Sequence, residues 1–176
     1  AASAFDGGPV VLADGADNPG GGAAGDSTFI LKRLLERGIG NACLGPLWDP
    51  VAVRIAFDAG EGATLMLRIG GKIGPLSGDP LDLRVAIKAL RPDMFMTGLS
   101  NTPTAMGDCA LLECAGIEVM LCSIRNQEMG IDLFTNIGVD LGAKKIVVVK
   151  SSQHFYAAFS NVAKHVIYVT APGAAT

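Results

Sequence analysis

The hydrophobic period of this 176-residue chain changes twice, and that limits its fold more than any other feature. Toward both ends, short unbroken apolar runs alternate with segments of helical spacing. Between them the period drops to two. Residues 10–13 and 43–47 are apolar runs of the length of strands buried on both faces. A helical pattern follows each: Ile30, Leu31, Leu34 and Leu35, stopped by Gly38, and Val51, Ala52, Ile55 and Ala56, stopped by Gly60. Asp26-Ser27-Thr28 offers cap chemistry to the first helix, and Asp49 with Pro50 to the second. In the middle, Leu65, Leu67 and Ile69 alternate with Thr64, Met66 and Arg68. Leu81, Leu83, Val85 and Ile87 alternate with Asp82, Arg84 and Lys88. This is the pattern of half-buried antiparallel strands, joined here by a loop over 70–80. Ala115-Gly116, between two further apolar alternations, predicts a hairpin. The last third predicts a helix over 131–137, a strand over 145–150, a helix over 153–163 and a strand over 166–170. The expected architecture is α/β: a single domain with one mixed β-sheet, helices packed on it, and an antiparallel hairpin or meander insert in the middle.

Composition narrows the classes of function. Hydrophobic residues make up 49% and charged residues 18%, against a usual charged share of roughly 25%, which excludes a disordered chain. Fourteen Lys and Arg stand against 17 Asp and Glu, scattered, for a net charge of -3. No basic stripe of the kind nucleic-acid binders carry is present, so no nucleic-acid partner is expected. The mean hydropathy of +0.39 is high, yet the longest apolar-leaning stretch, 109–124, carries Glu113 and Glu118. It falls short of the ~18 apolar residues of a spanning helix, and no membrane partner is expected. The four cysteines form no CxxC pair and only two histidines could join them, so four reduced, buried thiols and no zinc knot are expected. A cytoplasmic setting is the expectation that goes with them. The absence of an initiator Met and the Ala-Pro-Gly-Ala-Ala-Thr ending suggest a domain of a longer protein.

Three strand-to-helix connections hold the unusual residues: 14–27, with the run DNPGGGAAGD, then 48–50, then 150–154. If their strands run parallel, all three meet at one edge, where α/β sheets bind ligands. Glycine numbers 23, about twice its usual share, and several of these fall in the first connection. Gly20, Gly22 and Gly25 satisfy G-x-G-x-x-G ahead of a helix, which suggests a nucleotide or phosphate site. Against it, residues 14–19 separate the first Gly from its strand, and Asp14 and Asp17 would face the phosphates. The plain alternative is a glycine-rich turn capping a helix. His154, placed in the first turn of the expected last helix, reads either as a neutral imidazole acting as ligand or base, or as a local cap. Arg125, beside Gln127, reads as a carboxylate clamp or as a surface residue. With so few histidines, no metal ligand is assigned in this chain.

The strings ADNPGGGAAGDSTF, GPLWDPVAV, SGDPLDL, VVVKSSQHFYAAF and VIYVTAPG, in this order, resemble the C-terminal domain of the microcystinase C family of metallopeptidases. The likeness runs from about Pro9 to Gly173. It implies a two-part hydrolase of small peptides or amides. Its zinc ligands are expected in a larger N-terminal part, and this chain would form one wall of the active-site cleft. The family's Asp-Asn-Pro-Gly-Gly-Gly motif falls on Asp17, Asn18, Pro19, Gly20, Gly21 and Gly22, with Asp26 as the following acid. Its Lys-Ser-x-Gln-His-Phe motif falls on Lys150, Ser151, Gln153, His154 and Phe155. Ala24 stands where a common family form has Pro. On this basis Asp17 and His154 are expected to assist proton transfer. Asn18, Gly20, Gly21, Gly22, Asp26, Lys150, Ser151, Gln153 and Arg125 are expected to bind substrate, the glycines through their N–H groups. Expected partners are the N-terminal part, a small peptide or amide and, as an option, a second copy of the chain. Two alternatives stay open: a non-catalytic substrate-binding or oligomerisation module, and a nucleotide- or phosphate-binding domain.

Overall fold

The computed structural model describes residues 2–175. In chain order its strands are β1 (Val10–Asp14), β2 (Ala42–Trp48), β3 (Thr64–Ile69), β4 (Leu81–Thr97), β5 (Pro103–Cys114), β6 (Ile117–Cys122), β7 (Ile146–Val149) and β8 (His165–Val169). The helices are α1 (Phe29–Glu36), α2 (Pro50–Ala59), α3 (Asp132–Thr135) and α4 (Tyr156–Phe159). All eight strands lie in one mixed sheet, ordered β3-β4-β5-β6-β2-β7-β1-β8. From β6 to β8 the neighbours are parallel: Val10 lies opposite Ile146 and His165, and Ala42 opposite Ile146 and Ile117. From β3 to β6 they form an antiparallel meander. The sheet is the mixed one that the change of period predicts.

The sequence pattern follows from what covers each strand. β1 and β7 are buried at every position, because α1 packs on one face and α3 and α4 on the other. Strands in that situation read as unbroken apolar runs. β3 and the first half of β4 keep one face open and alternate. Ala115 and Gly116 both take positive φ, 50° and 78°, as a two-residue turn matched to strand twist requires. α1 ends as its glycine predicts: Gly38 adopts φ 60°, while Ile39 N–H reaches back to Leu34 and Gly38 N–H to Leu35. All four cysteines are buried free thiols. Burial raises their pKa values, that of Cys114 to about 11 and that of Cys109 to about 12. No described helix is long and apolar enough to cross a membrane.

Four expectations of local structure need correction. β4 does not stop at Lys88 but runs to Thr97, through register breaks around Arg91 and Met94. Pro92 and Asp93 are accommodated as a bulge, with Asp93 at φ 45° and its N–H donated to Asp108. α2 buries Ala52, Val53 and Ala56, leaving Val51 and Ile55 exposed. Its two buried alanines, Ala52 and Ala56, let the helix lie close to the sheet. α3 spans only four residues, since Gly138, at φ 100°, ends the turn early. The last helix is α4 alone, with His154 in the turn before it. Ser160 and Asn161 side chains donate to the Ala157 carbonyl, competing with the backbone for the next helical bond.

Candidate functional site

Because β1, β2 and β7 are parallel, the three connections singled out in the sequence meet at their carboxyl ends, and the segment after β6 joins them. Two layers build this edge: a buried set of ion pairs, and an exposed face resting on it.

Lys150 is the centre of the lower layer. Its ammonium, fully buried, lies 2.9 Å from Asp14 Oδ2, 2.9 Å from Asp17 Oδ2 and 2.7 Å from the Ser27 carbonyl. Burial pushes its pKa down, but the charges of Asp14 and Asp17 push it up by more. Asp17 also accepts the N–H groups of Gly25 (2.9 Å) and Ser27 (2.8 Å). Asp26 accepts those of Lys72 and Ile73 and the hydroxyl of Ser77, so it ties the glycine loop to the β3–β4 loop rather than capping α1. Asp14 Oδ1, Ser27 Oγ and Ser151 Oγ are buried with no partner among the described residues.

Asp49 does cap α2, accepting Ala52 N–H at 3.0 Å, but it is also a hub. Gly70 N–H (2.9 Å) and the Lys72 ammonium (2.7 Å) reach it as well. Replacing Asp49 by Ala removes the cap and strands a buried donor at Gly70. The expected loss is about 2–4 kcal/mol, measured as a lower urea midpoint at unchanged m. Asp49→Asn should keep the cap and recover part of it.

The exposed layer has fewer members than the sequence suggests. Gly20, Gly21 and Gly22 are exposed, but their N–H groups are used inside the loop, by Asn18 Oδ1, the Asn18 carbonyl and the Pro19 carbonyl. They are not free to meet a substrate, a correction to the expected role. Asn18 is buried, and its amide donates to Ser152 Oγ at 2.8 Å. Asp17, Asp26, Lys150 and Ser151 also lie below the surface. Arg125, Gln153 and His154 remain exposed. Arg125 gives one N–H to the Ala23 carbonyl, and His154 Nδ1 lies 2.7 Å from Gln127 Nε2. A cleft flanks this face on each side. One, of about 470 Å³, is lined by Ala24, Trp48, Ile73, Leu76 and Arg125. The other, of about 500 Å³, runs from His154 and Met129 to the β4–β5 turn.

The sequence names Gln127 only as a polar neighbour of Arg125 and gives no role to Ser152, Lys72 or Glu128. One signal was present: a lysine closing the apolar run of β7 needs buried anions, and Asp14 ends a similar run with Asp17 three positions on. The zinc suggested by the family resemblance finds no holder here. Among the described residues no group of three His, Cys, Asp or Glu side chains could hold a metal ion. The thiols are buried, Asp17, Asp26 and Asp49 are held by N–H groups and lysines, and His165 stacks on Phe5 at 4.1 Å.

Comparison with known proteins agrees with this architecture. The family model described as MlrC C-terminus matches residues 12–176. Microcystinase C of a Sphingomonas species is 40% identical over 161 residues, which are 92% of this chain and 32% of that protein. A crystal structure from Mesorhizobium sp. BNC1, named as a candidate metallopeptidase, superposes with a TM-score of 0.86 at 30% identity. It covers 93% of this chain and 33% of its own. The chain thus spans about a third of the length of the relatives it matches. With nearly its whole length matched in sequence and in fold, this chain belongs to the MlrC C-terminus family.

Proposed function

We propose that this chain is the C-terminal part of a cytoplasmic metallopeptidase hydrolysing amide bonds of small peptides, and that its carboxyl edge is one wall of the active-site cleft. The observation that carries the reading is the two-layer edge. Lys150, Asp14, Asp17 and Asp26 hold the loops in place, while His154, Gln153 and Arg125 keep polar atoms exposed between two clefts. The zinc of the family is held by residues outside this chain. Arg125 and His154 meet carbonyl or carboxylate oxygens of the peptide. Gly22, with open space where a Cβ would stand, lets an extended backbone lie close. Asp17 shapes the loop rather than moving a proton, because its oxygens already face Lys150, Gly25 and Ser27. That pairing also weighs against a phosphate site, since Asp17 occupies N–H groups a phosphate would need.

The test is His154→Ala in the full-length protein, assayed by amine release from a panel of linear peptides. Turnover should fall about 10²-fold with melting temperature and metal content unchanged. A raised KM at constant kcat would instead favour a substrate-binding module. Unaltered kcat/KM with full metal content would remove His154 from the cleft.

A further inference from the structure

Gln127 belongs to neither motif carried over from the family, yet it links them. The residue is 8% exposed, and its Nε2 lies 2.7 Å from Nδ1 of His154. In this orientation of the amide, its nitrogen has two N–H donors and no lone pair to offer, so the ring nitrogen facing it is the acceptor. The single proton of the neutral ring then sits on Nε2. The amide itself rests on Gly20. A Cβ at that position would stand 2.5 Å from Gln127 Cδ and closer still to Oε1, a contact real Cβ atoms do not make. Gly20 does not take a positive φ, so backbone conformation does not demand glycine there. Room for the amide does.

We propose that Gln127 is a positioning residue that holds His154 in its Nε2–H tautomer, with Gly20 lacking a side chain so that the Gln127 amide can reach the ring. The inference rests on the reading that His154 meets the substrate, and it changes what His154 does there. With Nδ1 occupied by the amide and Nε2 protonated, the ring has no free lone pair. It neither removes a proton nor binds a cation through the exposed nitrogen. It donates one hydrogen bond to a carbonyl or carboxylate oxygen entering the cleft beside Met129 and Asp132. The Asp132 carboxylate is tied to β4 through one oxygen only, Oδ2 accepting both the Thr97 N–H and its hydroxyl.

The experiment records two-bond 1H–15N spectra of the full-length protein with 15N-labelled histidine, the His154 signals being assigned by their loss in His154→Gln. The unmodified protein should show Nε2 protonated and Nδ1 bare. Gln127→Glu keeps the shape but offers only acceptors, so Nδ1 should become protonated and turnover should fall about 10–100-fold. Gly20→Ala and Gln127→Ala should each lower turnover, and the double variant should be no worse than the poorer single one. An Nδ1–H tautomer in the unmodified protein overturns the assignment to Gln127 while leaving the reading of the cleft intact. The expected tautomer together with undiminished turnover in Gln127→Glu overturns the contact between His154 and substrate, and the proposal with it.

Discussion

Replacing Lys150 by methionine is expected to destabilise the chain by about 3–5 kcal/mol, the usual loss when one partner of a buried ion pair is removed. For a chain of this size that is a fall in melting temperature of roughly 6–20 °C. Methionine fills much of the same space, so the loss is electrostatic. Asp14 and Asp17 would face each other across the vacated position, with their oxygens 2.9 Å from where the ammonium had been. The Ser27 carbonyl would lose its donor too. Adding Asp14→Asn to Lys150→Met should recover part of the loss, because one of the two uncompensated charges is gone. The dependence on pH follows from the direction of the Lys150 shift. Its folded pKa is raised, so the stability it contributes is fully present below the ordinary lysine value of about 10.4 and is lost as pH rises past it. The gap between parent and variant should be constant from pH 6 to 9 and narrow only in stronger alkali. Urea titrations across that range decide the matter. A variant melting with the parent would mean that the cluster is not what holds the edge together.

How far the sequence could show this depended on whether burial left a mark on the pattern. The edge itself was legible: β1, β2 and β7 are covered on both faces, their apolar runs are unbroken, and parallel strands bring their following loops together. The Ala115-Gly116 turn was legible because its φ values restrict residue choice. The second half of β4 was not. Only pairing with distant β5 carries the strand past Pro92 and Asp93. The shortness of α4 depends on Ser160 and Asn161 bonding to a carbonyl, which composition does not announce. Family motifs picked out Asp17, Asn18, Asp26 and Lys150 but carried no information on depth. A carboxylate lining a cleft and one buried under it are the same letter. Gly20 illustrates the limit best, for its reason lies at Gln127, 107 positions away by their numbers in the chain.

Glu128→Gln should act in the opposite sense to Lys150→Met and stabilise the chain at neutral pH. The Glu128 carboxyl is fully buried, and neither oxygen has a hydrogen-bond partner of ordinary geometry among the described residues. Burial pushes its pKa well above the usual carboxylate range, and the charge of Asp132 adds to that. The nearby Met129 N–H opposes it only in part. The folded chain therefore keeps a proton that the unfolded chain, with an ordinary glutamate near 4.3, gives up. Stability linked to this group is greatest below that pH and falls by about 1.4 kcal/mol per unit as pH rises toward the folded value. Glutamine has nearly the same shape and no proton to lose, so this slope should vanish. As pH rises above 5 the variant should gain steadily on the parent, until the folded value of Glu128 is passed. That window lies well below the one set by Lys150, so the two effects are separable in a single series of urea midpoints. Parallel curves for parent and variant would show that Glu128 ionises freely in the folded chain, and the account of a buried neutral acid would be wrong.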